Sequence, residues 1–124
     1  MKTENVMYFT EKEEEFTNLL IKVGTRRNVA KVLVFLAKNP EATSRAIEWG
    51  TNLNQPEVCM AMRYLVGLNW IKSRESRSET RGRPMMIHGL AKPIHEIMDG
   101  IENEKQSEAN AQLERVQKLR EFIR

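Results

Sequence analysis

The tetrapeptide Asn54-Gln-Pro-Glu57 restricts the fold more than any other feature of the sequence, because it fixes where one helix must begin. Asparagine three residues before glutamate matches a capping box, and proline costs nothing in a first helical turn, where its missing N–H would be unbonded anyway. The apolar residues that follow recur at the three- and four-residue intervals of one helix face: Val58, Ala61, Met62, Leu65 and Leu68. We therefore predict an amphipathic helix that starts after Asn54 and ends at Asn69, a residue that tolerates left-handed backbone.

The same spacing predicts two helices near the start of the chain. The first spans residues 11–23 and stops at Gly24, and the second spans residues 26–38, with Thr25 as its N-cap and Asn39-Pro40 as its stop signal. The expected apolar residues are Phe16, Leu19, Leu20 and Val23 in the first helix, and Val29, Val32, Leu33 and Leu36 in the second.

A third, short helix is predicted just before the tetrapeptide. Thr43 or Ser44 can cap it, Ala46 and Ile47 would be its buried residues, and it would end near Gly50. Four residues, 51–54, are left to connect it to the next helix. The two helices and their short connection form a helix-turn-helix pattern.

The sequence after Asn69 predicts a β-hairpin and then more helix. Two short apolar runs, residues 70–74 and 84–90, flank an arginine-rich stretch that contains Gly82, which is typical of a hairpin with a long tip. From Lys92 onward the helical period returns, and Gly100 is expected to kink or break this last segment. We expect Trp49 and Trp70, each at an element boundary, to cover the edge of the core.

The predicted order is three helices, a turn, a helix, a hairpin and a helix, which is the layout of a winged helix-turn-helix. We therefore predict a mainly α chain with a small β-hairpin. An apolar stripe at each end of the chain, which a domain this small could not wholly cover by itself, indicates that the terminal helices form a dimer interface. In this layout one helix fits the major groove of duplex DNA while the hairpin reaches the neighbouring groove or the phosphates.

Several segments resemble the archaeal winged-helix regulators of the ArsR, TrmB and MarR type. They are Leu53-Asn-Gln-Pro-Glu-Val-Cys-Met-Ala-Met-Arg-Tyr-Leu-Val-Gly-Leu-Asn-Trp-Ile71, then Arg81-Gly-Arg-Pro84 and Ile87-His-Gly-Leu90. The resemblance covers about residues 25–91. It implies a dimeric DNA-binding repressor or activator whose recognition helix begins at Asn54. Asn69 replaces the glycine that is usual before the strand, and the clustered cysteines of ArsR-type metal sensors are absent from the sequence, so metal sensing is not inferred.

The resemblance divides the chain into three parts. Residues 1–24 would be an N-terminal arm and helix, residues 25–91 the DNA-binding domain, and residues 92–124 a C-terminal helical arm for dimerisation. The expected dimer contacts are Phe16, Leu20, Ile94, Ile97, Ile101, Leu113, Val116, Leu119 and Ile123.

Positive charge is concentrated in the middle of the chain rather than spread over it. The net charge is only +3, yet six basic residues and two acidic ones lie between Arg63 and Arg83. Clustered arginine beside a groove-reading helix is typical of contact with phosphates or with a narrow minor groove. Double-stranded DNA is therefore the expected partner.

Three sets of residues are candidates for contact with DNA. On the recognition helix, Gln55 and Arg63 can form hydrogen bonds with base edges, and Pro56 and Met60 can contact a thymine methyl. Side chains on the wing and at helix starts would contact phosphates. The recognition-helix set is Asn54, Gln55, Pro56, Glu57, Cys59, Met60 and Arg63. The wing set is Arg74, Arg77, Arg81, Gly82 and Arg83, and the phosphate set is Arg26, Arg27, Ser44 and Arg45.

The sequence argues against several other classes of protein. Cys59 is the only cysteine, and His88 and His95 have no third ligand nearby in the sequence, so we expect neither a metal site nor a cofactor. No nucleophile paired with a base and no phosphate-cradling glycine loop is present in the sequence, which argues against an enzyme. The sequence has no run of about 18 apolar residues and no signal peptide, so we expect a cytoplasmic protein without a membrane partner.

An alternative use of the same fold stays open at this stage. A winged helix can act as a protein–protein module of a transcription or DNA-processing complex, with the basic wing against an acidic partner. The sequence does not identify a small-molecule effector, and Cys59 is expected to be an ordinary thiol.

Overall fold

Five helices and three short strands make up the part of the chain that the structure, a computed structural model, describes: residues 9–76 and 85–124. In chain order they are α1 (Glu11–Lys22), α2 (Arg27–Lys38), β1 (Ala42–Thr43), α3 (Ser44–Thr51), α4 (Gln55–Gly67), β2 (Ile71–Ser76), β3 (Met85–Leu90) and α5 (Ile94–Glu121). The chain divides into two compact units after Ala91, so the first unit contains every element from α1 to β3 and the second contains α5. The predicted order of the helices and the hairpin is confirmed, with one additional strand, β1.

Helix α2 forms the core of the first unit. Helices α1, α3 and α4 all pack against it, and it buries Val29, Ala30, Val32, Leu33, Val34, Phe35 and Leu36. The sequence pattern predicted only one buried face on this helix. Because other helices cover α2 from several sides, Ala30, Val34 and Phe35 are buried as well. Each large apolar side chain that is removed from water here contributes about 1.5–3 kcal/mol.

Helix α1 is held to the far end of α2 by one acidic side chain. Glu13 accepts a hydrogen bond from the Thr10 N–H at 2.8 Å in a capping box, and its other oxygen lies 2.8 Å from Lys38 Nζ. Burial alone would raise the pKa of the Glu13 carboxyl, but the ammonium group and the Thr10 N–H outweigh burial and lower it. The carboxylate therefore stays charged and fixes the start of α1.

Helix α2 begins one residue later than the sequence predicted. Arg26, not Thr25, occupies the N-cap position, and it makes no capping hydrogen bond through its side chain. The Thr25 N–H instead bonds the Leu20 carbonyl and closes the end of α1. Thr25 is therefore part of the turn after α1, and its prediction as a cap was wrong.

The three strands form an antiparallel sheet in the order β1-β3-β2. Strand β2 pairs with β3 from Ile71↔Leu90 to Ser76↔Met85, which confirms the predicted hairpin. Strand β1 pairs with β3 through Ala42 and Thr43 and was not predicted, because two residues are too few to show an alternating pattern. Thr43 also caps α3 by accepting a hydrogen bond from the Ala46 N–H, so the sheet leads directly into that helix.

A buried histidine joins α3 to the sheet. His88 on β3 is 8% exposed, and its Nε2 lies 2.9 Å from Ser44 Oγ while its Nδ1 lies 2.7 Å from Ser73 Oγ. In the neutral ring one nitrogen donates and the other accepts, and a hydroxyl can complement either. Both ring nitrogens are therefore satisfied without a positive charge.

Helix α5 runs from Ile94 to Glu121 without interruption. The expectation that Gly100 would break it is wrong. Side-chain pairs along the polar middle of the helix support it, such as Lys105 Nζ with Glu108 Oε1 at 3.2 Å. Acidic Glu96 in the first turn and basic Lys118 and Arg120 in the last turn also match the helix dipole.

Close packing between α3 and α2 predicts that Gly50→Ala destabilises the protein. An added Cβ at this position would overlap the ring of Phe35, which is itself buried. We expect the free energy of unfolding to fall by about 1–3 kcal/mol, the usual cost of overpacking. Urea unfolding followed by circular dichroism measures it.

Gly67→Ala is the matched control, because a Cβ on this helical glycine would meet no atom within 4 Å. Replacement of glycine by alanine in a helix is stabilising by up to about 1 kcal/mol. Equal losses of stability in the two variants would contradict the role given to the Gly50–Phe35 contact.

The burial of His88 predicts that stability declines in mild acid. Burial lowers the pKa of the His88 imidazole below its ordinary value of 6.5. The unfolded chain therefore takes up a proton before the folded chain does, so this contribution to stability is complete above pH 6.5 and is lost as the pH falls toward the lowered pKa. Urea midpoints measured from pH 7.5 to pH 5 should show the decline, and His88→Gln should flatten it. The exposed His95 supplies the control, since His95→Gln should retain the decline.

Candidate nucleic-acid interface

A tight turn connects α3 to α4 and sets the geometry of the candidate site. Asn52 ends α3 in the left-handed conformation, with φ 60° and ψ 33°, and Leu53 is buried beneath the turn. Thr51 Oγ1 donates a 2.6 Å hydrogen bond to the Ile47 carbonyl and completes the last turn of α3. The two helices are therefore joined by an ordered turn rather than by a flexible loop.

The predicted capping box at the start of α4 is present. The Asn54 side-chain oxygen accepts from the Glu57 N–H at 2.9 Å, and Glu57 Oε1 accepts from the Asn54 N–H at 2.9 Å. These two residues were predicted to touch DNA. The structure shows that both side chains orient the first turn of the helix. They can therefore affect DNA binding indirectly, by fixing where the helix begins.

Helix α4 has one buried face and one exposed face, and both were predicted. The buried face consists of Val58, Ala61, Met62 and Leu65. The exposed face holds Gln55, Pro56, Cys59, Met60 and Arg63. Leu68 was assigned to the buried stripe but is exposed, because the helix ends at Gly67 before that turn is complete. Asn69 follows with φ 64°, in the left-handed conformation that its position predicted.

The start of α2 lies beside the exposed face of α4. Arg26 and Arg27 border a groove of about 330 Å³ whose other wall contains Pro56, Met60 and Tyr64. The two arginines are exposed and were predicted as phosphate contacts on the basis of their place at a helix start. The structure thus brings one pair from the phosphate set next to the recognition-helix set.

Tyr64 is a candidate residue that the sequence analysis missed. Its side chain is half exposed on α4, four residues after Met60 and therefore on the same helix face. The same four-residue spacing was the signal that could have identified it. A tyrosine at the edge of a groove offers both an apolar ring and a hydroxyl donor.

The remaining phosphate candidates lie at the start of α3. Arg45 and Ser44 are both exposed, but the Ser44 hydroxyl is already bonded to His88. Of the two residues, Arg45 alone carries a charge, and its side chain is exposed. Ser44 therefore serves the link between α3 and the sheet.

The structure describes one of the four wing arginines, Arg74. Arg74 on β2 forms an ion pair with Glu41, whose two carboxylate oxygens both accept from the same nitrogen, Nη2, at 3.1 Å and 3.0 Å. Both side chains are more than half exposed, so the pair is screened by solvent and contributes little to stability. Arg77, Arg81, Gly82 and Arg83 lie outside the described residues, and their assignment to DNA stays a prediction.

One tryptophan prediction is wrong. Trp49 on α3 is 75% exposed and borders an open cleft that is also lined by Phe9 and Ile21, whereas we expected it to cover the core. The neighbouring Gly50 occupies the position that faces α2, which turns the Trp49 side chain outward. Trp70, at the start of β2, is half-buried as expected for the edge of the core.

The structure removes two residues from the expected dimer contacts. Leu20 is 4% exposed and Ile97 is 0% exposed in the single chain, so a partner could cover no further surface there. Phe16, Ile94 and Ile101 are half-buried. Four members of the set are exposed: Leu113, Val116, Leu119 and Ile123.

Within residues 9–76 and 85–124, no three His, Cys, Asp or Glu side chains are grouped so as to hold a metal ion. Cys59 is a free, exposed thiol on α4. Of the helices in the same ranges, none combines the length and the apolar character that crossing a membrane requires.

Comparison with solved structures identifies the fold. No family model and no curated protein matches the amino-acid sequence. The structure is similar to a possible transcriptional regulator from Methanosarcina mazei Go1, with a TM-score of 0.66 and 13% identity over 81% of this chain and 83% of that one. The chain has a winged helix-turn-helix fold. Helix α4 therefore occupies the position of the second helix of the helix-turn-helix in this fold, and the β2–β3 hairpin occupies the position of the wing.

Two further winged-helix structures are similar at lower scores. A transcriptional regulator homologue from Pyrococcus horikoshii OT3 has a TM-score of 0.54 and 12% identity, over 81% of this chain and 96% of that one. A MarR family transcription regulator has a TM-score of 0.52 and 15% identity, and this chain spans 82% of its own length and 64% of that regulator's. Identities this low establish the shared fold alone, so the fold prediction is confirmed, and the dimer and DNA contacts are argued from the residues of this chain.

The capping box predicts a local effect at the recognition helix. Asn54→Ala should lower the free energy of unfolding by about 1 kcal/mol and speed amide hydrogen exchange in the first turn of α4, because a helix donor loses its partner. Thr10→Ala breaks the equivalent box of α1 and should leave exchange in α4 as it is. Faster exchange in α4 for both variants would mean that the effect is global rather than local.

Proposed function

We propose that this chain is a transcriptional regulator that binds double-stranded DNA in a sequence-specific manner as a homodimer. The recognition helix α4 would enter the major groove, and the wing would contact the minor groove or the phosphates. The observation that carries this proposal is the division of α4 into a buried face and a polar exposed face. A helix anchored on one side and free on the other can be inserted into a groove without disturbing the core.

Base reading is assigned to three exposed side chains of α4. Gln55 and Arg63 carry donors and acceptors that can bond base edges, and Met60, which is 70% exposed, offers an apolar surface to a thymine methyl. Tyr64 joins this set because it continues the same face.

Phosphate contact is assigned to Arg26, Arg27 and Arg45. The first two border the groove beside α4, and the third lies near the start of α3, where backbone N–H groups also favour anions. On the wing, Lys72 and Arg74 are exposed on β2, although Glu41 neutralises part of the Arg74 charge. The sequence adds Arg77, Arg81 and Arg83 to the wing set.

A homodimer would place two recognition helices on the DNA in two-fold symmetry. The binding site would then be an approximate palindrome with half-sites about 34 Å apart, one turn of the duplex. We propose the cytoplasm as its location, and we assign the chain no catalytic activity.

Salt dependence is the test of this proposal. Genomic fragments selected by the protein supply the duplex, and fluorescence anisotropy then gives Kd at a series of salt concentrations. We expect a steep linear fall of log affinity with log salt. Arg27→Gln should reduce the slope by about two units, one for each chain of the dimer, if each Arg27 contacts one phosphate. Lys12→Gln, which removes one exposed charge from α1 outside the α2–α4 groove, should leave the slope unchanged.

Sequence preference separates base contacts from phosphate contacts. Arg63→Ala should reduce discrimination at one base pair by about 1–3 kcal/mol while unrelated duplexes lose little affinity. Equal losses on every duplex would make Arg63 a phosphate contact. Weak binding of the wild-type protein to all duplexes, with little response to salt, would overturn the proposal and favour the alternative of a protein–protein module.

A further inference from the structure

The C-terminal end of α5 exposes a set of large apolar side chains. The exposed fractions lie between 43% and 85%. The set consists of Leu113, Val116, Leu119, Phe122 and Ile123. Five such residues within about three helical turns form a contiguous apolar surface of a kind that usually marks an interaction site.

This surface continues along one side of α5 toward its start. Residues 18 apart lie on the same side of a helix, since 18 residues make about five turns. Met98 precedes Val116 by 18 residues, and Ile101 precedes Leu119 by the same distance. Met98 and Ile101 are half-buried and so keep part of their surface exposed. The apolar stripe therefore extends over most of the helix, with a polar middle.

Charge is distributed unequally along α5 and the three residues that follow it. Residues 94–108 contain five acidic side chains and one basic side chain, Lys105, which gives a net charge of −4. Residues 109–124 contain four basic and two acidic side chains, which gives a net charge of +2. One half of α5 is thus complementary to the other half.

We propose that α5 pairs with α5 of a second copy of this chain, with the two helices antiparallel over most of their length. This inference deepens the homodimer of the proposed function and rests on it. Leu119, Phe122 and Ile123 of each chain lie against Met98 and Ile101 of the partner's helix. Residues 94–108 of each chain, with a net charge of −4, lie along residues 109–124 of the other chain, with a net charge of +2. Two-fold symmetry forms this complementary contact twice.

The other arrangements of two α5 helices bring like charges together. A parallel pair would place the two acidic halves side by side and the two basic halves side by side. An antiparallel overlap of the C-terminal halves alone would join two segments of net charge +2 and leave the acidic halves without a partner. Opposed like charges cost free energy and thereby select orientation, even where each single surface pair contributes little.

Glu102 and Arg120 identify the charge contact most suited to a test. Both are exposed, and their separation of 18 residues places them on the same side of α5, at the edge of the apolar stripe. In the antiparallel pair, Glu102 of each chain faces the partner's Arg120, so two equivalent ion pairs form.

Cross-linking measures the orientation directly. Cys59, the single cysteine, is first replaced by Cys59→Ser. Ile101→Cys and Leu119→Cys are then made in separate chains, and the two proteins are mixed, re-equilibrated and treated with a short bismaleimide. We expect a product that joins one chain of each kind, because these positions are about 27 Å apart on one helix and adjacent only across an antiparallel pair. Products that join two identical chains, with no mixed product, would overturn the proposal.

Charge exchange provides the second measurement, by sedimentation equilibrium of the full chain. Arg120→Glu and Glu102→Arg should each weaken the dimer about tenfold or more, since each variant opposes like charges twice. The double variant should recover most of the wild-type Kd. Glu121→Arg changes the charge as much as Glu102→Arg does and should have little effect, because Glu121 lies about 100° around the helix from Arg120, in the direction away from the apolar stripe. Failure of the double variant to recover would count against the Glu102–Arg120 contact and the orientation that it defines.

The outcome for this inference is separable from that of the proposed function. A dimer with mixed cross-links that does not bind DNA would support the α5 pairing and overturn the regulator. A chain that binds selected DNA but stays monomeric, or dimerises without mixed cross-links, would overturn the α5 pairing while sequence-specific DNA binding stands.

Discussion

The burial of α2 beneath three other helices is the constraint on which the first unit depends. Its side chains occupy the space between α1, α3 and α4, and each of these helices is positioned by the surface that it shares with α2. The exposed face of α4 is therefore a consequence of core packing. Once Val58, Ala61 and Leu65 are directed inward, the side chains on the opposite face are left exposed.

Local signals explain how much of the fold was accessible from the sequence. Helix α4 carries a capping box, a proline in the first turn and a regular apolar spacing, all of which agree, and its start was predicted to the residue. The start of α2 was misplaced by one residue because no side chain caps it, so the sequence contained no signal to read. Strand β1 was missed because its two residues form a strand only through pairing with β3, a contact distant in the sequence.

The sequence predicted which face of α4 is buried and which is exposed, but it did not predict the side-chain contacts around the candidate site. Helical spacing separated the exposed residues of α4 from the buried ones, with Leu68 as the exception at the helix end. Spacing could not show that Arg74 pairs with Glu41, that the Ser44 hydroxyl is engaged by His88, or that Trp49 faces outward beside Gly50. Each of these depends on which elements meet in space. Leu20 illustrates the same limit, since an apolar stripe does not reveal whether its own chain or a partner covers it.

Thr43 has two tasks at once, as the last residue of β1 and as the cap of α3. No residue lies between the strand and the helix, so an insertion at this point would separate the hydroxyl from the Ala46 N–H or pull Ala42 out of register with His88. Length variation is therefore tolerated poorly at this junction. We expect homologous chains to keep the spacing from Ala42 to Ala46 fixed and to place their insertions and deletions in other connections.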